Sequence, residues 1–467
     1  MTTAGISESA GPASSGFRTF VLIWLGQMVS MLGSGLTSFA LGVWIYQRTG
    51  SATSFALLTF FVIVPAMLVL PLAGVLVDRW DRRRVMMASD SLAALGTLAL
   101  ALLVWSGRLE TWHIYAVVVF NSAVSSLQMP AFSATVPLLV AKRHLGRTAG
   151  MMQLGAAVPT ILAPLVAGAL VAVIGLHGIL IVDLVTFLFA VSMLFIVRLP
   201  NPPRGGVEDA AGAEQGPVSR DALYGWTYLR ERPGLLALLF MFAGVNFCLG
   251  FLNALLTPMI LSFASEKALG TVMALAGCGM LVGGVAMAVW GGPKRRMQGV
   301  FGFLLLAAVI LSLSGLRENV TLIAAAAFAF LCCFPLINGC AAAILQTKIA
   351  PQVLGRAMAA QQLVAMSALP VAILLAGPLA DHVFEPLLAP GGPLAGTVGR
   401  VIGVGPGRGI GLLFMVLGGL IVLAVAAGWA NPRVRNLEDE LPDAIGDEPP
   451  PVSPLGPAPQ EPAPGSL

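Results

Sequence analysis

A few charged and polar side chains lie inside long apolar stretches, and Asp183 is the one best suited to carry chemistry. It stands about seven residues inside an apolar run, 177–197, that holds no Lys or Arg. A carboxylate at that depth in a membrane costs free energy, so it is a candidate proton site. The alternative is a structural role, in which Asp183 only accepts hydrogen bonds from backbone or from a neighbouring helix.

A polar stripe follows one face of the first apolar stretch. Its members recur at intervals of three and four, which is the spacing of one helix face: Gln27, Ser30, Ser34 and Thr37. Because unsatisfied polar groups are costly in lipid, the stripe is expected to face the protein interior. There it either lines a cavity or forms hydrogen bonds that hold neighbouring helices together.

The residue types that enzymes use are not arranged for catalysis. The four histidines fall at the ends of apolar stretches, and no nucleophile–base pair or carboxylate pair can be argued. The sequence has no GxxxxGK[ST] phosphate loop, so direct use of ATP is not expected. The five cysteines lie inside apolar stretches without metal-ligand spacing to a His, as small buried residues do. We therefore predict no enzyme, no cofactor and no metal site.

The composition points to a bundle of membrane helices. The 467 residues are 57% hydrophobic and only 10% charged, with a mean hydropathy of +0.89, whereas soluble domains are roughly a quarter charged. One spanning helix takes roughly 20 apolar residues. The sequence predicts an all-α membrane protein with twelve spans: 18–46, 53–77, 84–106, 112–138, 148–174, 177–197, 235–262, 268–290, 298–316, 319–346, 354–380 and 407–430. Asp90 and Asp381 fall near span ends, where solvation is expected to be easy.

Basic residues are distributed unequally between the connections. Twenty of the 26 Lys and Arg residues lie in the termini and in every second connection, and six lie in the other connections. By the positive-inside rule the richer set is cytoplasmic, and it includes both termini. Because the basic residues sit in short connections and not on one domain face, nucleic acid is not an expected partner.

Two sequence markers recur between the halves of the chain. LGRTAGMMQ at 145–153 returns as LGRAMAAQQ at 354–362, and WDRRRV at 80–85 has a weaker echo, WGGPKRRM, at 290–297. Both pairs are offset by about 210 residues, which predicts two pseudo-symmetric six-helix bundles. Transporters are commonly built from such repeats, with the substrate site near the midplane between them.

The predicted domain order follows from these observations. Two tails and a linker flank the bundles: a disordered N-terminal tail 1–16, a bundle 17–198, a cytoplasmic linker 199–233 with a surface helix, a bundle 234–430, and a disordered acidic and Pro-rich tail 431–467. The last tail has no means of burying apolar surface.

The connection 74–85, GVLVDRWDRRRV, resembles the signature loop of the major facilitator superfamily. The matching positions are Gly74, Asp78, Arg79, Arg82 and Arg83, whereas Asp81 stands where the family usually has Gly. The segment 130–153 is also similar to the drug exporters of this superfamily, a group that includes macrolide efflux and enterobactin-exporter-like proteins.

The resemblance implies that the loop is a cytoplasmic latch between helix ends. Asp78 is then expected to face the N-terminal end of the eleventh helix near 354–357, where a carboxylate gains about 0.3–1 kcal/mol from the helix dipole. The alternative is simple positive-inside anchoring, which leaves Asp78 unexplained. The echo at 290–297 keeps the bases and loses the acid, so the latch is expected on one half only.

The resemblance also assigns the cavity. In this superfamily the first, fourth, seventh and tenth helices line it, which makes the following polar residues candidate lining: Gln27, Ser30, Ser34, Asn121, Ser125, Asn246, Asn253 and Asn338. An exporter turn in the fifth helix is matched by Pro164 and Gly168, where two further Gly positions carry Ala. That turn permits a kink and close helix packing, or it is an ordinary proline in a packed membrane helix.

The predicted function is secondary active export of a small amphipathic organic molecule, such as a drug, a siderophore or a secondary metabolite. Alternating access and proton antiport are implied by the resemblance, in a monomer of a bacterial inner membrane. Two alternatives remain: a lipid or lysophospholipid flippase of the same fold, and a membrane receptor that transports nothing.

Overall fold

The computed structural model describes residues 13–140, 145–197, 232–349, 364 and 367–440. Every regular element in this part of the chain is helical. The long helices are α1 (Ala13–Thr49), α2 (Ala52–Arg79), α3 (Arg82–Trp105), α4 (Thr111–Ser125), α5 (Gln128–Leu139), α6 (Leu145–Ile196), α7 (Pro233–Leu261), α8 (Glu266–Trp290), α9 (Arg296–Ser314), α10 (Val320–Lys348), α11 (Ser367–Leu388) and α12 (Arg408–Ala430).

Eleven helical stretches of the described chain are long and apolar enough to cross a membrane. One of them, Ala157–Ile196, is 40 residues long, about twice the length that one crossing takes. Within it Gly175 adopts φ 63°, a left-handed conformation that breaks the helix. The break separates the predicted fifth and sixth spans, 148–174 and 177–197. Conversely, α4 and α5 together form the single fourth span, Thr111–Val136.

The helices form two halves, α1–α6 and α7–α12, and the bundle has two faces. We call basic face the end with the α2–α3 and α8–α9 connections, and opposite face the end with the α1–α2 and α7–α8 connections. One buried apolar cluster, with Phe20, Met86 and Phe132 at its centre, fills the first half near the basic face. A larger cluster fills the second half and also takes in Val43 and Ala52 from the first. The described apolar contacts therefore join the halves near the opposite face.

Asp381 of α11 ties the halves together at the opposite face. Its carboxylate accepts hydrogen bonds from the backbone N–H groups of Ala52 (3.1 Å) and Thr53 (2.9 Å). It also accepts bonds from the hydroxyls of Ser51 and Thr53, each at 2.7 Å. The N-terminal end of a helix favours a negative charge, so Asp381 caps α2 of the other half. Asp381 thus lies near a span end, as expected, and also links the two halves.

A buried arginine secures the connection before α12. The Arg408 side chain is 1% exposed, and its Nε lies 3.0 Å from an oxygen of Glu318. Its Nη1 also donates to the carbonyl of Ile402 at 2.9 Å. Glu385 accepts hydrogen bonds from the N–H groups of Gly407 and Ile410, which caps α12. These contacts fix the segment 389–407 against the second half.

The last ten described residues differ from the prediction of a disordered tail. Residues 431–440 form two short helical turns, in which Val434 and Leu437 are buried. The Leu437 side chain packs on Gly234 at the start of α7. Two apolar residues three apart are enough to dock such a segment, and the sequence prediction gave them no weight. At the other end, α1 begins at Ala13, inside the predicted N-terminal tail. The linker 199–231 and the tail 441–467 lie outside the described residues.

Glu438 is the anchor of this C-terminal segment. Its carboxylate accepts hydrogen bonds from the N–H groups of Arg296 (2.8 Å) and Met297 (3.2 Å), the first residues of α9. In the first half Asp81 caps α3 in the same way, by accepting bonds from the N–H groups of Arg83 and Arg84. In the second half, Glu438 therefore takes the capping role that Asp81 has in the first, from another part of the chain.

Replacing Glu438 by alanine is expected to loosen the basic end of the second half. Loss of a helix cap costs about 0.5–2 kcal/mol, so the purified variant should unfold at a lower temperature than the parent protein. Asp439→Ala is the matched control, because no side-chain bond of Asp439 reaches α9 among the described contacts. Equal melting temperatures for Glu438→Ala and the parent protein would contradict the assignment.

Candidate functional site

A cavity of about 500 Å³ lies inside the first half. All its described lining residues belong to α1–α6. Five predicted cavity residues come together on its wall: Gln27, Ser30, Ser34, Asn121 and Ser125. The polar stripe of α1 thus faces the interior, as the cost of exposing polar groups to lipid requires.

The rest of the cavity wall is apolar and polarisable. Four methionines and three aromatic residues share it: Met28, Met31, Met129, Met152, Trp24, Phe132 and Phe187. Methionine side chains adapt to ligands of different shape, and aromatic rings offer large flat contacts. The described lining contains no Lys, Arg or His, and its one carboxylate is Asp183. The cavity therefore fits an amphipathic organic molecule better than an anion.

Three predicted cavity residues do not line this cavity. Asn253 and Asn338 donate their amide N–H to carbonyls one turn back on their own helices, at Leu249 (2.9 Å) and Phe334 (3.1 Å). Asn246 is half-buried on α7 and is likewise absent from the wall. Because Asn253 and Asn338 each donate a hydrogen bond within their own helix, their presence in a span does not by itself indicate a cavity.

Asp183 of α6 is hydrogen-bonded to two other helices, α1 and α3. Only 1% of the residue is exposed. Its carboxylate accepts hydrogen bonds from the hydroxyls of Thr37 (2.8 Å) and Ser34 (3.5 Å) on α1 and of Thr97 (3.2 Å) on α3. The sequence singled out this residue, and the structure places it on the cavity wall among neutral partners.

Asp90 is a functional candidate that the sequence prediction missed. It was expected to be solvated near a span end, but it is fully buried on α3. Its two carboxylate oxygens accept hydrogen bonds from the side-chain amides of Gln27 (3.0 Å) and Gln128. The sequence carries one indication of this burial, which is the pair Gln27 and Gln128 in neighbouring spans. A buried carboxylate needs hydrogen-bond donors of this kind.

The signature loop is only partly described. Gly74, Asp78 and Arg79 lie in the last turns of α2, and their side chains are outside the described part of the structure. The Arg82 guanidinium donates to the carbonyl of Ala134 at 2.7 Å. Arg83 donates to the carbonyls of Leu194 (2.8 Å) and Phe195 (2.9 Å). The two arginines thus bind carbonyls of α5 and α6 within their own half.

The proposed partner of Asp78, residues 354–357, also lies outside the described residues. The departure from the family pattern at Asp81 has a local explanation, because its side chain caps α3. An Asp directly before a helix is a recognisable start signal. The loop keeps a defined turn at this position without the usual glycine.

Pro164 and Gly168 lie where the two halves touch. A Cβ atom built on Gly168 would stand 2.6 Å from the carbonyl oxygen of Glu266 and 3.2 Å from Cα of Gly270, both on α8. A Cβ on Gly270 would in turn collide with the carbonyl of Pro164. The absence of side chains lets α6 and α8 approach closely. The non-helical residue recorded inside α6 is Gly175, not a residue of this turn.

Metal binding finds no support in the described chain. Among the residues that the structure describes, no group of three or more His, Cys, Asp and Glu side chains could hold a metal ion. The cavity offers a bound molecule hydrogen-bonding groups, apolar contacts and one carboxylate, that of Asp183.

Comparisons with known proteins agree with this architecture. The family model of the Major Facilitator Superfamily matches residues 23–373. Macrolide efflux protein A of Streptococcus pyogenes is 27% identical over 374 residues, which cover 78% of this chain and 90% of that protein. The enterobactin exporter EntS of Shigella boydii is 24% identical over 188 residues, or 40% of this chain and 45% of that protein.

A solved structure extends the likeness to the whole fold. A bacterial homologue of the human lysosomal transporter Spinster, in an inward-facing and unoccupied conformation, superposes with a TM-score of 0.67 at 14% identity. The match covers 92% of this chain and 99% of that one. The chain belongs to the major facilitator superfamily, as a multi-pass membrane transporter related to the macrolide and enterobactin exporters.

Proposed function

We propose that this protein exports a small amphipathic organic molecule across a bacterial inner membrane. The observation that carries the proposal is the cavity of the first half, where polar groups from α1 and α4 face methionine and aromatic side chains. A site of about this volume, largely apolar with a few polar groups, is typical for an organic ligand. The relatives that transport macrolides and enterobactin support export as its direction.

The proposed cycle is alternating access about the interface between the halves. The contacts of Asp381 with α2, and of Gly168 with Gly270, hold the opposite face closed. We assign the basic face to the cytoplasm by the positive-inside rule. Both termini are then cytoplasmic, and the cavity takes up its substrate from that side. The signature loop, with Asp78 as its acid, serves as the gate of the basic face.

Proton antiport is the proposed energy source, with Asp183 as a proton site. The carboxylate lies on the cavity wall and is held by three hydroxyls without a basic partner among its described contacts. A buried carboxylate in a membrane favours its neutral form unless a cation is near. A cationic or strongly polar substrate that binds next to Asp183 then favours loss of the Asp183 proton. Loss of that proton in turn favours binding of the substrate.

A cavity-filling substitution tests the proposed site. Ser125 lines the cavity and is exposed to it, so Ser125→Trp is expected to occupy much of the space that a ligand needs. Efflux of the fluorescent dye ethidium from cells that express this variant should fall by roughly tenfold or more. The measurement is the rate of fluorescence decrease at equal protein levels in the membrane.

The matched control is Ser192→Trp on α6. Ser192 is exposed, and its hydroxyl bonds only the carbonyl of Leu188 on its own helix. This variant should export ethidium at the parental rate. If Ser125→Trp and Ser192→Trp exported the dye equally well, the cavity of the first half would not be the transport site.

A further inference from the structure

The proposed function leaves Asp90 without a role, although it is the most deeply buried of the carboxylates described in the first half. The amide of Gln27 donates to one of its oxygens and the amide of Gln128 to the other. Both glutamines line the cavity and Asp90 does not. The two side chains therefore stand between this carboxylate and the cavity, one on α1 and the other on α5.

No charged group described on the neighbouring helices is bonded to Asp90. Its described partners are all neutral, the third being the hydroxyl of Ser30. Arg82 and Arg83 of α3 are engaged by backbone carbonyls, and Arg84 is exposed. The other titratable or charged residues on the helices around it are Arg18, Tyr46 and Arg48 of α1, Asp78 and Arg79 of α2, His113 and Tyr115 of α4, and Arg147, His177 and Asp183 of α6. The side chains of Asp78 and Arg79 are outside the described set.

Asp90 of α3 and Asp183 of α6 are both hydrogen-bonded to α1, and Asp183 is also hydrogen-bonded to α3. Gln27 of α1 binds Asp90, and Ser34, seven residues later, binds Asp183. On α3, Thr97 lies seven residues beyond Asp90 and also donates to Asp183. Seven residues are two helical turns, or roughly 10 Å along the axis. The polar stripe of α1 runs from one carboxylate to the other.

Asp90 and Asp183 lie toward opposite faces of the membrane. Asp90 is eight residues from the start of α3 at the basic face, a rise of about 12 Å. Asp183 is eight residues from the Gly175 break at the opposite face, again a rise of about 12 Å. Asp90 therefore lies nearer the basic face and Asp183 nearer the opposite face.

We propose that Asp90 is a second proton-binding site of the transporter, which works with Asp183 along the polar stripe of α1. The inference rests on the proposed proton antiport and adds a residue and a path to it. Water at the basic face and the Asp90 carboxylate exchange one proton, which converts the carboxylate into a neutral carboxylic acid or the reverse. The proton count balances, because each proton taken up at one face is released at the other.

The two glutamines connect Asp90 to the cavity. An ionised Asp90 accepts only, and the two amides donate to it. A protonated Asp90 carries an O–H that needs an acceptor, and a glutamine amide provides one when it turns its carbonyl oxygen inward. Gln27 then presents its N–H groups to the cavity instead. Protonation of Asp90 thereby changes which hydrogen-bonding groups a bound substrate meets.

Infrared difference spectroscopy tests the proton site without any substrate. The protein in lipid membranes is titrated with acid, and the C=O band of protonated carboxyl groups is recorded. The parent protein should give a band to which both aspartates contribute, so that Asp90→Asn and Asp183→Asn each remove part of it. A band that Asp90→Asn leaves unchanged would overturn the proposal. Asp90→Glu should shift the band without removing it, and this variant decides the matter if the amide variant does not fold.

Transport of ethidium by purified protein in vesicles tests the coupling. Asp90→Asn is expected to lower accumulation of the dye under a pH gradient by roughly tenfold or more, while exchange without a gradient continues. Equal loss of both activities, or accumulation driven by a sodium gradient instead, would overturn the proton role. If the parent protein moved no ethidium at all, the proposed transport of this dye would fail, and the infrared band would still decide on Asp90.

Discussion

Replacing Asp381 by alanine is expected to open the opposite face of the transporter. The substitution removes four hydrogen bonds between a carboxylate of one half and the start of α2 in the other. A hydrogen bond to a charged group contributes about 1.5–3 kcal/mol. Even a loss of about 3 kcal/mol in total changes the ratio of closed to open molecules by roughly a hundredfold.

Spin-label distances measure this change directly. Arg48 and Lys267 are exposed at the opposite face, one in each half, and can carry the labels after replacement by cysteine in a cysteine-free background. In Asp381→Ala the distance distribution should move to longer values. His382→Ala is the matched control, because His382 contacts only the carbonyl of Pro378 on its own helix among the described contacts. An unchanged distribution in Asp381→Ala would show that the cap does not hold the halves together.

Replacing Gly168 by leucine is expected to abolish most transport. The backbone carbonyl of Glu266 and the Cα atom of Gly270 occupy the space that even a Cβ atom would need. Overpacking costs about 1–3 kcal/mol in a well-packed core, and here the obstacle is backbone that a side-chain rotation cannot relieve. The halves must separate at this point, so the closed state of the opposite face is lost. Dye efflux should fall by roughly tenfold or more.

The control for this substitution is Gly284→Leu on α8. A Cβ atom at Gly284 meets nothing within 4 Å, so the same chemical change has room there. Efflux by Gly284→Leu should equal that of the parent protein. Gly168→Ala should lie between the two, because its single methyl group requires a smaller separation. Full efflux by Gly168→Leu at equal expression would show that transport does not need the close contact of α6 and α8.

The spans and the repeat could be predicted from the sequence because they depend on local composition. Apolar length identifies a crossing whatever the tertiary packing is, and Gly175, His177 and Gly178 marked the separation of the fifth and sixth spans. The stripe of α1 was predictable for the same reason, since the position of four polar residues on one face is a property of one helix. The family followed from the charged loop at 74–85.

The partners of the buried acids could not be predicted, because they come from distant segments. Asp90, Asp381 and Glu438 each bind groups that lie between 38 and 330 residues away. The position of a carboxylate within a span indicates its distance from the membrane surface. Whether that carboxylate is buried in the protein depends on side chains of other helices, such as a glutamine. The asparagines of α7 and α10 differ for another reason. Asn253 and Asn338 each donate to a carbonyl of their own helix, and in the sequence such a residue cannot be distinguished from one that faces a cavity.

We propose above that this protein moves an amphipathic organic molecule out of the cell in exchange for protons. The most direct measurement is uptake of ethidium, whose charge does not titrate, into vesicles that contain the purified protein and have an acidic interior. With the membrane potential clamped, we expect the dye to accumulate above its external concentration and the accumulation to collapse on addition of a protonophore. Asp183→Asn should equilibrate the dye without accumulating it. Accumulation that is the same with and without the pH gradient, or that is absent while the protein binds the dye, would rule out proton-driven export.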